Sequence, residues 1–223
     1  MIVAFDLEGT LVNGELFPAI GMELGIGRQL EALTAQAMDG RIDYASSVIR
    51  RVDLIKGTSI DTIKEISRSI PLQRGAYETV DAVKSLGAQP VIVTSGFAEL
   101  ADRVAYRLGV EYVACNRLTT EDGLVTGVQI PILTGEGKRD RLIALSKWLG
   151  VPLSCCAAIG DGSNDVPILR AAGLSVGFGD RECIQGSDHI VKTGNLADAI
   201  PFLRRHLTHQ SLALSRPTTK TGI

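Results

Sequence analysis

The sequence of 223 residues predicts an α/β fold: a doubly wound, mostly parallel, Rossmann-like sheet with an inserted helical cap and a small β-hairpin flap. Three observations predict it. Short continuous apolar runs recur along the chain, as buried strands of a parallel sheet do. From residue 75 onward, helical stripes closed by glycine separate these runs. One long stretch, residues 14–74, carries helical stripes and no convincing strand.

MIVAFDL opens the chain as the first strand, ending abruptly in acid and glycine. After it, Ile20 with Leu24, Leu30 with Leu33, and Val48 with Val52 and Ile55 sit three or four apart. Ile60, Ile63, Ile66 and Ile70 do the same, a spacing that lines one face of a helix. These stripes form the cap, with Gly14 and Leu72–Gly75 as linkers. The core then resumes. Val80, Val83 and Leu86 form a stripe closed by Gly87, before the strand Gln89–Ser95. Leu100, Val104 and Leu108 form another, closed by Gly109, before the strand Val110–Cys115. In Arg117–Ile130, Asp122–Gly123 lies between alternating β-formers, which predicts a hairpin projecting beyond the third strand. Leu142, Leu145 and Leu149, closed by Gly150, precede the strands Ser154–Ile159, Leu174–Phe178 and His189–Val191. Such alternation builds a sheet through right-handed crossovers. The core domain is therefore 1–13 with 75–206, the cap 14–74, and the Ser- and Thr-rich stretch 207–223 a loosely held tail.

Composition narrows the function. The chain is 45% hydrophobic, with 23 basic and 25 acidic residues for a net charge of −2. It lacks the basic face that nucleic-acid binding uses. No apolar run reaches the roughly 18 residues of a membrane span, and the N-terminus has no basic region of the signal-peptide kind. The four cysteines (Cys115, Cys155, Cys156 and Cys183) contain no Cys-x-x-Cys pair, so buried free thiols in a reducing cytoplasm are expected.

In open α/β sheets, function gathers beyond the carboxyl ends of the strands. There the first strand offers Asp6, Glu8, Gly9 and Thr10, and the second Thr94, Ser95 and Gly96. The fourth offers Asp161, Asn164 and Asp165, and Lys138 opens the helix before it. Singly, each is an ordinary cap, turn or surface residue; together they converge on one edge. Crowded carboxylates call for a cation, and all-oxygen ligation with room for water suits Mg²⁺. With Mg²⁺ and Lys138 the edge receives a phosphate dianion, to which Ser95 and the Gly96 amide donate. Asp6 then serves as nucleophile on phosphorus and Glu8, on the same strand face, as acid and base. Asp6, Asp161 and the main-chain carbonyl of Glu8 hold the metal, Asp165 supports them, and Asn164 joins the phosphate ligands.

The motifs DLEGT, TSG, Lys138 and GDGSND resemble, in this order, those of the haloacid dehalogenase superfamily of phosphatases. The resemblance extends over nearly the whole chain, to about residue 205, to the phosphoserine phosphatases of that superfamily. It implies a cap that closes over substrate and places Thr10 at the phosphate. FDLEGTLVNGE puts Glu15 at the position that reads a substrate amine. AMDGRIDYASSVIRRV puts Met38, Tyr44 and Arg51 at substrate positions, Arg51 at the one that binds a carboxylate. CNRL followed by the Asp-Gly hairpin also fits. Two residues depart from the pattern: Glu8 stands where an aspartate is usual, and Phe97 where the turn usually has a second glycine.

The expected activity is thus hydrolysis of a small phosphomonoester, most simply phosphoserine, by a cytoplasmic monomer or homodimer. Phosphate transfer to an alcohol such as homoserine and hydrolysis of another small phosphomonoester are the alternatives. A phospho-accepting receiver module is shorter, has no inserted cap and carries its acceptor on an inner strand.

Overall fold

Apolar alternation along β1 (Ile2–Phe5) organises the core. Ile2 and Ala4 face one side of the sheet, Val3 and Phe5 the other, and all four are buried. The computed structural model describes the backbone of residues 1–214 and side chains through residue 210. β1 is flanked by β2 (Gln89–Phe97) and β3 (Tyr112–Asn116) on one side. On the other lie β6 (Cys156–Gly160), β7 (Leu174–Phe178) and β8 (His189–Val191), giving the order β3-β2-β1-β6-β7-β8. Every pairing in this six-stranded sheet is parallel. Strand order reverses between β1 and β6, which opens a crevice at their carboxyl ends.

Two layers of helix cover the sheet. On the Val3 and Phe5 side pack α5 (Ala76–Ser85), α6 (Ala98–Leu108) and α9 (Ile200–Leu214). On the other pack α7 (Gly135–Trp148) and α8 (Val166–Ala171), through Leu142, Ile168 and Leu169. The tail expected from residue 207 is corrected by α9, which continues to Leu214. Leu203 and Leu207, one turn apart and both 1% exposed, form a stripe buried in the core. The remainder of that expectation, residues 215–223, lies outside the described residues. Cys155 and Cys156 are buried free thiols as expected, whereas Cys183 is exposed.

The cap consists of α1 (Leu16–Leu24), α2 (Gly27–Met38), α3 (Tyr44–Asp53) and α4 (Ile60–Ser69). It buries Ile20, Leu30, Val48, Val52, Ile55 and Ile63, the residues of the predicted stripes. Its two connections to the core run side by side. Val12 bridges Leu72, the Asn13 amide donates to Pro71 O at 3.0 Å, and the Gln73 amide to Leu11 O at 2.9 Å.

The hairpin joins β4 (Leu118–Glu121) to β5 (Leu124–Val128) through Asp122 and Gly123, both with positive φ (49° and 77°). That is the type I′ geometry an Asp-Gly pair favours. It does more than project: it folds onto the cap. The Gly57 amide donates to Val125 O (2.8 Å), the Val125 amide to Thr58 O (2.9 Å), and the Ile60 amide to Gly123 O (2.8 Å). Among the described residues no helix is long and apolar enough to cross a membrane.

Leu142 is 0% exposed and lies one turn beyond Lys138, anchoring α7 to the sheet. Leu142→Ala should lower the free energy of unfolding by about 2–5 kcal/mol, the usual cost of deleting a buried leucine side chain. Urea denaturation followed by circular dichroism measures this.

Candidate active site

At the crevice between β1 and β6, Lys138 is fully buried. Its Nζ donates to Asp6 Oδ1 at 2.5 Å and to Asp165 Oδ1 at 2.6 Å. Burying an ammonium is costly unless it is paired, and here two carboxylates pair it. They raise its pKa against the opposing effect of burial, so Lys138 stays charged. The other oxygen of Asp165 accepts the amides of Asp161 (3.1 Å) and Gly162 (3.0 Å). Asp165 therefore has both oxygens engaged and acts as a buttress. It ties the start of α7 to the loop after β6.

Oxygens of Asp6, Asp161 and Asp165 lie within 4.8 Å of one another. Three carboxylates against the Lys138 ammonium and the exposed Arg181 guanidinium still leave excess negative charge. Burial first and Asp165 second push Asp6 up to about 8, with Lys138 opposing. The same two causes push Asp161 up to about 6, with Arg181 opposing. A divalent cation would favour the ionised forms of both. The donor set is all oxygen: Lys138 takes one oxygen of Asp6 and Arg181 one of Asp161, which leaves each a second oxygen, whereas Lys138 and two amides engage both oxygens of Asp165. These residues fit a hard divalent ion. Close packing also demands glycine at position 9. Its φ is +82°, and a Cβ there would come within 2.6 Å of Asp161 Oδ2.

Among the described residues, the buried hydroxyls Thr10 Oγ1 and Ser95 Oγ have no partner within hydrogen-bond geometry, although Ser95 is close enough to the Tyr44 phenol to act on it. Buried polar groups are nearly always satisfied, so this pair marks a place for a ligand acceptor. With Lys138 they make a donor set suited to a phosphate. Gly96 follows Ser95, and its bare Cα matters: a Cβ would lie 2.7 Å from Glu8 Oε2.

Glu8 accepts the Leu16 amide at 2.6 Å through Oε1, which fixes it at the amino end of α1. Burial lifts its carboxyl to about 7, opposed by that hydrogen bond and by the more distant charges of Lys138 and Arg51. Asn164 is half-buried in the short turn Ser163–Asp165, beside the Asp161 loop.

The cap residues divide. Of the adjacent arginines, Arg50 is exposed and Arg51 is half-buried. The Arg51 guanidinium lies 4.6 Å from the Phe17 ring centre and 5.9 Å from that of Tyr44, and its Nε donates to Ser47 O at 3.3 Å. No carboxylate pairs with Arg51 among the described residues, yet its charge acts on Glu8. The Tyr44 phenol is itself raised by burial, with Arg51 opposing. Glu15 is exposed at the N-cap of α1, where its charge acts on Glu8 and Asp161. Met38 does not join this group. It ends α2 with 79% of its surface exposed. The Phe97 ring turns toward the cap, meeting Phe17 edge-on with centroids 5.4 Å apart.

Arg181 was not anticipated. Its guanidinium pairs with Asp161 Oδ2 at 3.3 Å. It follows β7 in the same way the other site residues follow their strands, and that position was the available signal.

Residues 1–173 match the family model for haloacid dehalogenase-like hydrolases. The chain belongs to that family of hydrolases. It is 35% identical over 203 residues to the phosphoserine phosphatase of Albidiferax ferrireducens, covering 87% of this chain and 86% of that one. It is 34% identical over 178 residues to the phosphoserine phosphatase of Streptococcus thermophilus, covering 79% and 83%. Among solved structures it superimposes on a phospho-aspartyl intermediate analogue of phosphoserine phosphatase with a TM-score of 0.84. That pair is 29% identical, covering 91% of this chain and 98% of the other.

Asp165→Asn should remove a charge from Lys138 and turn an amide against either Lys138 or the Asp161 and Gly162 amides. Breaking such a buried pair costs on the order of 3–5 kcal/mol. A drop of that size in chemical denaturation, together with lost activity, is the expected result.

Proposed function

We propose that this chain is a Mg²⁺-dependent phosphomonoesterase that hydrolyses phosphoserine through an aspartyl-phosphate formed on Asp6. The observation that carries the reaction is the buried Lys138 bonded to Asp6, at the strand ends from which the buried Thr10 and Ser95 hydroxyls, unpartnered among the described residues, also come. A nucleophilic carboxylate there stands inside a cradle of phosphate donors. Lys138, Ser95, Thr10 and Asn164 hold the phosphoryl oxygens and oppose the charge that develops on them, while the Gly96 amide, expected from the sequence to join them, donates instead to Thr94 Oγ1. Asp6 attacks phosphorus as the ester oxygen leaves. Glu8 gives that oxygen a proton, then takes one from the water that cleaves the aspartyl-phosphate. A carboxyl lifted to about 7 suits this double duty near neutral pH. The main-chain carbonyl of Glu8 completes a metal site with Asp6 and Asp161. Mg²⁺ bound there supplies positive charge to the phosphoryl oxygens and keeps Asp6 ionised.

The substrate assignment is supported by the phosphoserine phosphatases among the relatives and by the cap. Arg51 presents a planar fork with no carboxylate partner, and Glu15 an acceptor for an ammonium. They are the two groups needed to read the ends of an amino acid. The cap excludes water while Asp6 attacks and must readmit it for hydrolysis.

Three measurements test this. Asp6→Asn should fold normally and abolish turnover, because the amide has no nucleophilic oxygen; near-parental activity would remove the covalent route. EDTA should silence the enzyme and added Mg²⁺ restore it, and activity that survives thorough chelation would overturn the metal site. Arg51→Ala should lower kcat/KM for phosphoserine about tenfold to a hundredfold, as loss of a charged hydrogen bond does. It should leave p-nitrophenyl phosphate nearly unchanged. An equal defect on both substrates would place Arg51 in the fold rather than at the substrate.

A further inference from the structure

β2 leaves its ladder with β3 where the phosphate cradle begins. Val93 pairs with Ala114, but the next pairing is Phe97 with Asn116, so three residues of β2 oppose one of β3. Such an irregularity frees backbone groups from the ladder, and buried ones must find other partners. The freed segment is Thr94, Ser95 and Gly96. Thr94 Oγ1 accepts the Gly96 amide at 2.9 Å. The Ser95 carbonyl is taken by a side chain: Asn116 Nδ2 donates to it at 2.7 Å.

The same amide reaches a second segment. Asn116 Oδ1 accepts the Leu133 amide at 2.7 Å, and Nδ2 also lies 3.4 Å from Leu133 O. Leu133 immediately precedes Thr134, the N-cap of α7, and Lys138 N donates to Thr134 O at 2.8 Å. Asn116 is 3% exposed, so neither bond is exchanged for water at low cost. One buried amide thus joins the turn that carries the Ser95 hydroxyl to the start of the helix that carries Lys138.

We infer that Asn116 is a positioning residue for phosphate, setting the Ser95 hydroxyl and the Lys138 ammonium in register across the crevice through its bonds to Ser95 and Leu133. A flat amide can donate to one segment and accept from the other at fixed spacing, and no apolar side chain of its size can do both. It touches no reacting atom itself. The inference rests on Ser95 and Lys138 being the phosphate donors.

Asn116→Ala removes all these bonds; Asn116→Ser, which keeps a polar group too short to span both segments, is the milder variant if the first unfolds. Both are assayed well below their melting temperatures with p-nitrophenyl phosphate, per folded molecule, with inorganic phosphate as competing inhibitor. Misplacement of this kind should lower kcat about 10- to 100-fold and weaken inhibition by phosphate about as strongly. A purely structural role would lower the melting temperature and leave kcat and phosphate inhibition of the folded enzyme unchanged, which would overturn the inference. Ser95→Ala and Lys138→Met are measured alongside. If these leave phosphate inhibition unchanged, the phosphate-site reading itself is wrong. If they weaken it and the Asn116 variants do not, only the positioning role is lost.

Discussion

One buried ammonium organises the active end of this molecule. Lys138 reaches Asp6 from β1 and Asp165 from the loop after β6, groups 132 and 27 residues away in sequence. None of the three could be buried alone. A lone ammonium would shed its proton, and either acid would take one up. Their mutual pairing keeps Lys138 charged in a buried place and partly offsets the burial that pushes Asp6 up, leaving the rest of that charge to a bound divalent cation. Asp165 then passes the constraint on, since its second oxygen holds the two amides that begin the Asp161 loop.

The close approach of these chains sets local sequence as well. Gly9, Gly96 and Gly160 lie where a Cβ would strike Asp161, Glu8 and Asp165 at 2.6, 2.7 and 2.5 Å. Glu8 and Gly96 form such a pair: the carboxylate that is one methylene longer than the family's usual aspartate occupies the space above the glycine. The second departure, Phe97, is absorbed on another side. Its ring packs against Phe17 of α1, and Arg51 lies over that same Phe17 ring, so the aromatic pair joins core, cap and the proposed substrate arginine.

Much of this was legible in the sequence because it is local or periodic. Continuous apolar runs and glycine-closed stripes located the strands and helices, and the strand-end rule gathered Asp6, Ser95 and Asp161, with Lys138 at the start of the helix before β6, without reference to distance. What was hidden depends on contacts between remote segments. The family motif, and no property of the pair itself, singled out Arg51 over Arg50; the structure leaves Arg50 exposed and Arg51 half-buried. Met38 fits the family's motif, yet the end of α2 leaves it exposed. Arg181 belongs to a loop with no periodicity, and the Leu203–Leu207 stripe was lost among the polar residues of α9.

The bonds by which the hairpin grips the cap consist of main-chain amides and carbonyls from residues 57, 58 and 60 and from residues 123 and 125. Main-chain hydrogen bonds carry little memory of side-chain identity. At residues 57, 60 and 125 the seam asks only for an amide hydrogen, although Gly57 and Gly123 are also held to their positive φ (82° and 77°) and Val125 to its place in the core. Proline alone lacks that hydrogen, and at those three positions it would open the seam. Cap residues away from this seam lie outside its constraint, so what the enzyme meets beyond its active site can change without disturbing how the cap is held.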